Sequence, residues 1–304
     1  MSFPGRFKDH ILPDQLANIS LSFLVDSMSR QRGGTAPNIA YTIALLGGKP
    51  TVMATAGQDF SDYRAFLEQK GVDTSGIVTI EDDFCASFFV NSDLDQNQIA
   101  SFYTGAMAHA ATLNFATHAP GADLVIISPN DPVAMRQYVT ECQEFNIAYI
   151  YDPSQQIVRL DGETLVHGLT GSAWLTVNEY EFSLVQEKTG LSEADILERT
   201  GGLIITKGEK GSLIIKENMR YNIPVAKPKA VVEPTGAGDA FRAGFMRGLQ
   251  LDLPLEICGR LGALSAVYVV EQQGPQEHKF TPAEFIARYE ENFGSEPALA
   301  VLTA

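Results

Sequence analysis

The segment Glu233-Pro-Thr-Gly-Ala-Gly-Asp239 gathers the residue types needed to hold an anion beside a carboxylate. Glycines let a backbone approach a bound group closely. Residues Ala240 to Leu249 read as a helix carrying Ala240, Ala243, Gly244 and Gly248 on one side. A glycine turn at a helix N-terminus aims backbone N–H groups at one point, and the helix dipole strengthens their pull on negative charge. Gly236, Ala237 and Gly238 would form such an anion site, with Asp239 at its mouth. A carboxylate there can take the proton of a hydroxyl attacking a phosphate. General-base help is typically worth ~10²–10⁴-fold, and each anion-stabilising donor roughly 10²–10³-fold. By spacing alone, Gly-x-Gly-Asp is equally compatible with a plain helix cap. The chain has no Gly-x-x-x-x-Gly-Lys-Ser/Thr loop, and no Gly-x-Gly-x-x-Gly follows an early strand, so two commoner phosphate cradles are excluded.

The elements that must position this segment repeat a strand-then-helix rhythm. Lys229-Ala-Val-Val232 reads as a strand end before the glycine turn. Ala122–Ser128 is an apolar run followed by the helix-start cluster Pro129-Asn-Asp-Pro132, and an amphipathic stretch then runs to Phe145. Ile147–Tyr151 returns as a strand ending at Asp152-Pro153, and Ala173–Val177 is another, after which Asn178 can cap a helix to Lys188. Leu203–Thr206 and Ser212–Ile215 flank Lys207-Gly-Glu-Lys-Gly211, a hairpin signal. Continuous apolar strands alternating with helices indicate a mainly parallel sheet covered on both faces, a three-layer α/β/α sandwich. Residues 6–25 and 84–104 break the rhythm with alternating patterns. Cys85–Val90, the turn Asp93–Asn97 and Gln98–Tyr103 form a hairpin. The two stretches are expected to make a small β lid on a core of residues 26–83 and 105–294, with 295–304 a frayed tail. Plain surface hairpins are the alternative reading.

Composition narrows the function. With 22 Lys and Arg against 37 Asp and Glu, a net charge of −15 and no basic run, the chain lacks the cationic surface that grips nucleic acid. Cys85, Cys142 and Cys258 are far apart among apolar neighbours, which fits reduced thiols rather than disulfides or a zinc site. The five histidines show no metal-ligand spacing, and no apolar run is long enough for a membrane span. A cytoplasmic protein acting on a small molecule is expected.

Thr235-Gly-Ala-Gly-Asp239 followed by Ala240-Phe241, with Gly33-Gly34 and Asn38 near the N-terminus, resembles the ribokinase/PfkB-type carbohydrate kinases over nearly the whole chain. Gly33-Gly-Thr-Ala-Pro-Asn-Ile-Ala40 is similar to the family's glycine-pair signature, departing from it at Thr35. Asn178-Glu-Tyr-Glu181 matches its Asn-x-x-Glu motif, and Thr206-Lys-Gly-Glu-Lys-Gly211 its nucleotide-binding turn. Four ordered matches outweigh the plain helix cap. The resemblance implies ATP as phosphoryl donor, Asp239 as base for a primary hydroxyl, and Gly236, Ala237 and Gly238 as the anion hole. It places Asn178, Thr206, Gly208 and Gly211 along ATP, and Glu181 beside Mg²⁺ through water. Gly33, Gly34 and Asn38 would bond substrate hydroxyls.

Phe3–His10, Asp93–Gln98 and Phe102–Met107 look like the nucleoside-kinase branch, which implies an adenosine-like substrate phosphorylated at its 5′-hydroxyl and a pocket including Met107 and Gln155. Lid aromatics suit stacking on a base, or simple packing. A homodimer through the lid is compatible with this branch. Glu233 and Pro234 depart from the family's usual Asp-Thr, which leaves monovalent-cation use open, and Arg242 reads either as a phosphate contact or as an exposed helix residue. The family's opening strand, with an Asp that grips sugar hydroxyls, has no counterpart before Met1-Ser-Phe-Pro. Unpaired sheet edges are therefore expected, with Asp9 and Asp14 as substitute acids. Two other functions stay open: a ribose- or fructose-type sugar kinase, and a catalytically silent nucleoside- or sugar-binding protein.

Overall fold

The computed structural model describes residues 1–11 and 20–303. Its strands are β1 (Ala54–Gly57), β2 (Ile77–Ile80), β3 (Ser87–Ser92), β4 (Gln98–Tyr103), β5 (Leu124–Ile127), β6 (Ala148–Tyr151), β7 (Trp174–Asn178), β8 (Leu203–Thr206), β9 (Ser212–Lys216) and β10 (Met219–Ile223). The helices are α1 (Thr35–Leu45), α2 (Ser61–Gln69), α3 (Phe115–His118), α4 (Pro132–Glu144), α5 (Gly162–Leu169), α6 (Glu179–Thr189), α7 (Glu193–Leu197), α8 (Ala237–Gln250), α9 (Leu255–Val270) and α10 (Pro282–Phe293). Asp131 caps α4 by accepting from the N–H groups of Val133 and Ala134, with Pro132 in the first turn, so the helix start read in the sequence has a direct cause.

The main sheet has six strands in the order β10-β9-β8-β7-β6-β5, parallel from β5 to β8 and antiparallel at β9 and β10. Its inner strands are mostly apolar on both sides because both faces are covered, whereas the edge strand β10 (Met-Arg-Tyr-Asn-Ile) is polar and largely exposed. Tyr149, Tyr151, Leu175, Val177, Leu203, Ile205, Leu213 and Ile215 share one buried cluster with side chains of α4, α5, α6 and α7. The alternate residues Ile150, Trp174, Ile204 and Ile214 face the opposite cluster, built with α1, α8 and α9. That period-two split makes the three-layer α/β/α sandwich. β1 and β2 form a separate parallel pair, so β1 and β5 each keep an unpaired edge among the described residues.

Three local expectations need correction. Lys229–Val232 is not a strand: Val231 and Val232 are 71% and 56% exposed, and the N–H groups of Val232 and Glu233 bond only to the Val270 carbonyl. Residues 295–303 are not frayed, because Pro297–Thr303 forms a 3₁₀ turn that buries Leu299 and Leu302 against Leu46, Phe285 and Tyr289. The described parts of 6–25 hold a 3₁₀ turn at Phe7–Asp9 rather than strands. Phe3, Phe7, His10 and Phe23 cluster there. Ser2 bridges to Ser27 and Ser92, and buried Asp93 accepts from the Phe7 N–H, so the segment is fastened to the hairpin β3–β4. The hairpin itself has the expected antiparallel register, with Phe88 opposite Phe102.

Helices α8 and α9 approach closely through glycine. A Cβ at Gly244 would stand 2.5 Å from the Leu261 carbonyl oxygen and 2.7 Å from the Gly262 nitrogen, both backbone atoms that cannot swing aside. Alanine normally stabilises a helix interior by about 1 kcal/mol over glycine. Gly244→Ala should instead destabilise the protein by about 1–3 kcal/mol, the usual range for overpacking, read as a lower urea midpoint. An unchanged or raised midpoint would contradict this packing.

Candidate active site

The chemical residues converge where β6, β7 and β8 end, the carboxyl edge at which open α/β sheets bind ligands. Asp152 follows β6 directly, Asn178 is the last residue of β7 and Thr206 the last of β8, and the latter two are register partners. The N-terminus of α8 belongs to the same site, tied to it by an ion pair between α8 and Asp152.

At that N-terminus Gly236 is left-handed, with φ of 84°, and a Cβ there would meet Pro275 at 2.5 Å. Glycine is therefore required both by conformation and by space. The Ala237 N–H closes the turn on the Pro234 carbonyl at 3.1 Å. The N–H groups of Gly238 and Asp239 have no backbone acceptor among the described residues, so these two are the donors open to an anion. Of the three residues expected to supply the anion hole, Gly238 keeps a free donor, Ala237 has spent its own, and Gly236 shapes the turn.

Asn38, in the first turn of α1, donates from Nδ2 to Oδ2 of Asp239 at 2.8 Å. Gln276 donates to Asn38 Oδ1 at 2.8 Å and also to the Tyr63 hydroxyl, which in turn donates to the Gly33 carbonyl at 2.9 Å. An ionised carboxylate only accepts, so Asp239 fixes the orientation of the Asn38 amide, and Asn38 fixes that of Gln276. Gly34, with φ of 99°, lets the chain turn into α1, and its carbonyl accepts from the Asn38 N–H. Burial pushes the Asp239 carboxyl up from 3.8, opposed by the Arg242 charge and the Asn38 bond.

Arg242 is not an exposed helix residue. Its side chain is 12% exposed, and Nη2 donates to Oδ1 of the fully buried Asp152 at 2.7 Å, while Nη1 lies 3.5 Å from Oδ1 of Asp239. Burial raises the Asp152 carboxyl, against the pull of Arg242.

Asn178 and Glu181 form a capping box on α6. The Asn178 side chain accepts from the Glu181 N–H and Glu181 Oε2 accepts from the Asn178 N–H, both at 2.8 Å. Glu181 Oε1 has only a 3.3 Å contact from the Ser154 hydroxyl, and Ser154 is strained, with φ of 39°. One oxygen of Glu181 is thus available to a metal-bound water. Among the described residues no group of three or more His, Cys, Asp or Glu side chains is placed to hold a metal ion directly. In the turn after β8, Gly208 and Gly211 have φ of 56° and 86°. A Cβ at Gly211 would sit 2.1 Å from the Ile223 carbonyl oxygen, so packing against the end of β10 calls for glycine there.

Met107 is half-buried in the 3₁₀ turn Gly105–Thr112, and Gln155 is exposed three residues after Asp152; no hydrogen bond ties either side chain to Asp239. Asp9 is exposed, and Asp14 lies outside the described residues. The lid aromatics are not packed away: Phe88, Phe89 and Phe102 are 65%, 53% and 52% exposed. Phe84, Phe89, Phe102, Tyr103 and Asp59 line an open cleft of about 430 Å³. Glu233 accepts from the Gly274 N–H at 3.0 Å, joining the glycine turn to the loop that carries Gln276.

The sequence reading missed Asp152, Tyr63 and Gln276. Asp152 had a usable signal, an acid at the carboxyl end of an apolar strand. Tyr63 and Gln276 had none, since their role depends on contacts spanning more than two hundred residues.

The profile of the "pfkB family carbohydrate kinase" group matches residues 9–282. A nucleoside kinase of Methanocaldococcus jannaschii is 31% identical over 273 residues, covering 89% of each chain. The structure of Burkholderia thailandensis nucleoside kinase in complex with inosine superposes with a TM-score of 0.87 at 38% identity, covering 98% of this chain and 95% of that one. The ADP-inosine complex of the same enzyme gives 0.85 at 39% identity, covering 98% and 93%.

The capping box can be tested by itself. Asn178→Ala should cost about 1 kcal/mol of stability, as lost N-caps do, whereas Asn178→Asp should retain it. Equal urea midpoints for both variants would remove the cap from the account.

Proposed function

The chain belongs to the pfkB family of carbohydrate kinases, and on that premise we propose that it transfers the γ-phosphoryl group of ATP to the 5′-hydroxyl of a purine nucleoside. The observation that carries this reading is Asp239. It is a largely buried carboxylate, 15% exposed, held on one oxygen by Asn38, with the free N–H groups of a helix N-terminus beside it. The nucleoside substrate class is supported by relatives of at least 31% identity that are nucleoside kinases, one of them captured with inosine.

In this mechanism the 5′-hydroxyl gives its proton to Oδ1 of Asp239 as its oxygen attacks the γ-phosphorus. The bond to the β-phosphate oxygen breaks, ADP leaves, and the proton later passes to solvent. The Gly238 and Asp239 N–H groups face the transferring phosphoryl group, which Gly236 and Ala237 admit by their shape. Asn178, Thr206, Gly208 and Gly211 lie along the nucleotide; Gly33, Gly34, Asn38, Met107 and Gln155 surround the nucleoside. Mg²⁺ bound with ATP would neutralise charge between the β- and γ-phosphates, with Glu181 accepting from its water shell. The lid aromatics close over the base. Their exposure also supports a homodimer in which two lids cover each other. No helix of the described residues is long and apolar enough to cross a membrane, and three free cysteines support a cytoplasmic setting.

A panel of inosine, adenosine, ribose and fructose with ATP should give a nucleoside 5′-monophosphate as the main product. A larger yield from a free sugar would favour a sugar kinase, and no product from any would leave a binding protein. Asp239→Asn should lower turnover at least ~10²-fold while ATP still binds by calorimetry; near-normal turnover would remove Asp239 from the role of base. The base acts only when ionised and its pKa is raised, so kcat/KM should fall on acidification at a pH above the ordinary carboxylate value of 3.8. Replacing Phe88 and Phe102 by Asp should convert a dimer to a monomer in sedimentation; an unchanged species would place any dimer contact elsewhere.

A further inference from the structure

We infer that Asp152 and Arg242 are a positioning pair for Asp239: Asp152 holds one end of the guanidinium so that the other end stands near, but not on, the oxygen that takes the proton. This rests on the reading of Asp239 as the base.

Arg242 lies three residues after Asp239 on α8, the spacing at which an Arg and an Asp normally meet. Left to itself, a guanidinium beside a carboxylate closes to a two-bond contact near 2.8 Å. Here Nη1 stays 3.5 Å from Asp239 Oδ1, outside ordinary hydrogen-bond distance, because Nη2 is committed to Asp152 at 2.7 Å. Asp152 is a rigid anchor. It is fully buried, its N–H bonds to the Ile127 carbonyl at 3.0 Å, and the Ser128 hydroxyl reaches its second oxygen at 3.4 Å.

The arginine is not satisfied as a purely structural ion pair would be, since its Nε is buried without a partner. Nη1 also lies against Gly238, where a Cβ would come within 2.8 Å of it. A side chain there would push the guanidinium out of place.

The chemical consequence follows from the two oxygens of Asp239. Oδ2 is occupied by Asn38, and Oδ1 keeps a lone pair for the substrate proton. A positive charge 3.5 Å away opposes the cost of keeping that carboxylate ionised in a buried site. The charged groups around it are Arg242 on α8, Asp152 after β6 and Glu181 on α6, the last acting on Arg242 and Asp152. From α1 and the loop at Gln276 come only neutral partners, Asn38 and, behind it, Gln276 and Tyr63.

The test measures kcat/KM against pH with ATP and inosine for the wild type, Arg242→Gln, Arg242→Lys and Asp152→Asn. Arg242→Gln should move the acid limb to higher pH by ~1–3 units, the usual effect of an opposite charge at this range. Arg242→Lys should hold the limb near its wild-type place. Asp152→Asn should release the guanidinium onto Asp239, lowering the plateau without raising the limb. Gln and Lys variants with the same limb, or Gln and Asn variants moving it the same way, would overturn the inference. If Asp152→Asn fails to fold by thermal melting, the Gln and Lys pair decides. A ¹³C titration of the Asp239 carboxyl, assigned by the signal lost in Asp239→Asn, reads the same displacement without turnover. It separates failure of this pair from failure of the kinase reading.

Discussion

A largely buried carboxylate and the groups that face it set the terms for this molecule. Asp239 sits in the first turn of α8, where the helix dipole and open N–H groups favour negative charge. Burial works against that charge. Asn38 of α1 bonds one oxygen of Asp239, Arg242 of its own helix stands 3.5 Å from the other, and Arg242 is held in turn by the end of β6. Elements from the start, middle and end of the chain are therefore joined at one side chain. Displacing any of them leaves an unpaired charge or an unsatisfied amide in a largely buried site, which costs more than the bond itself contributes.

The sheet supplies the rigidity this arrangement needs. Because β6, β7 and β8 are buried on both faces, their ends cannot drift, and Asp152, Asn178 and Thr206 are delivered side by side. The close contact of α8 with α9 through Gly244 holds the other half of the site at a fixed distance from the strands. The capping box of Asn178 and Glu181 starts α6 and leaves the second oxygen of Glu181 near the Ser154 hydroxyl at the carboxyl edge of the sheet.

The lid follows a different logic. Its hairpin register is regular, yet its aromatic side chains remain largely exposed, and its attachment depends on Asp93 and a small cluster around Phe3 and Phe7. Elements that expose much of their apolar surface are the kind from which closing segments are drawn.

Much of this was legible in the residues. Apolar strand runs, the Asp131 and Asn178 caps, the glycine turns and Asp239 are local signals, fixed by backbone conformation and hydrophobic periodicity within a few positions. The sequence misled where exposure overrode propensity, as at Val231 and Val232, and where distant packing captured a segment that looked free, as at Leu299 and Leu302. It was silent on Asp152, Tyr63 and Gln276, and ambiguous on Arg242. Charges and amides act through space, over distances of about 3 Å between residues tens to hundreds of positions apart. The sequence by itself determined that a glycine turn and a helix N-terminus would stand beside an acid, the residue types that suit an anion site. Only the tertiary structure decided which groups face that acid, because Asn38, Asp152 and Gln276 become its neighbours only when the sheet and its two helical layers close.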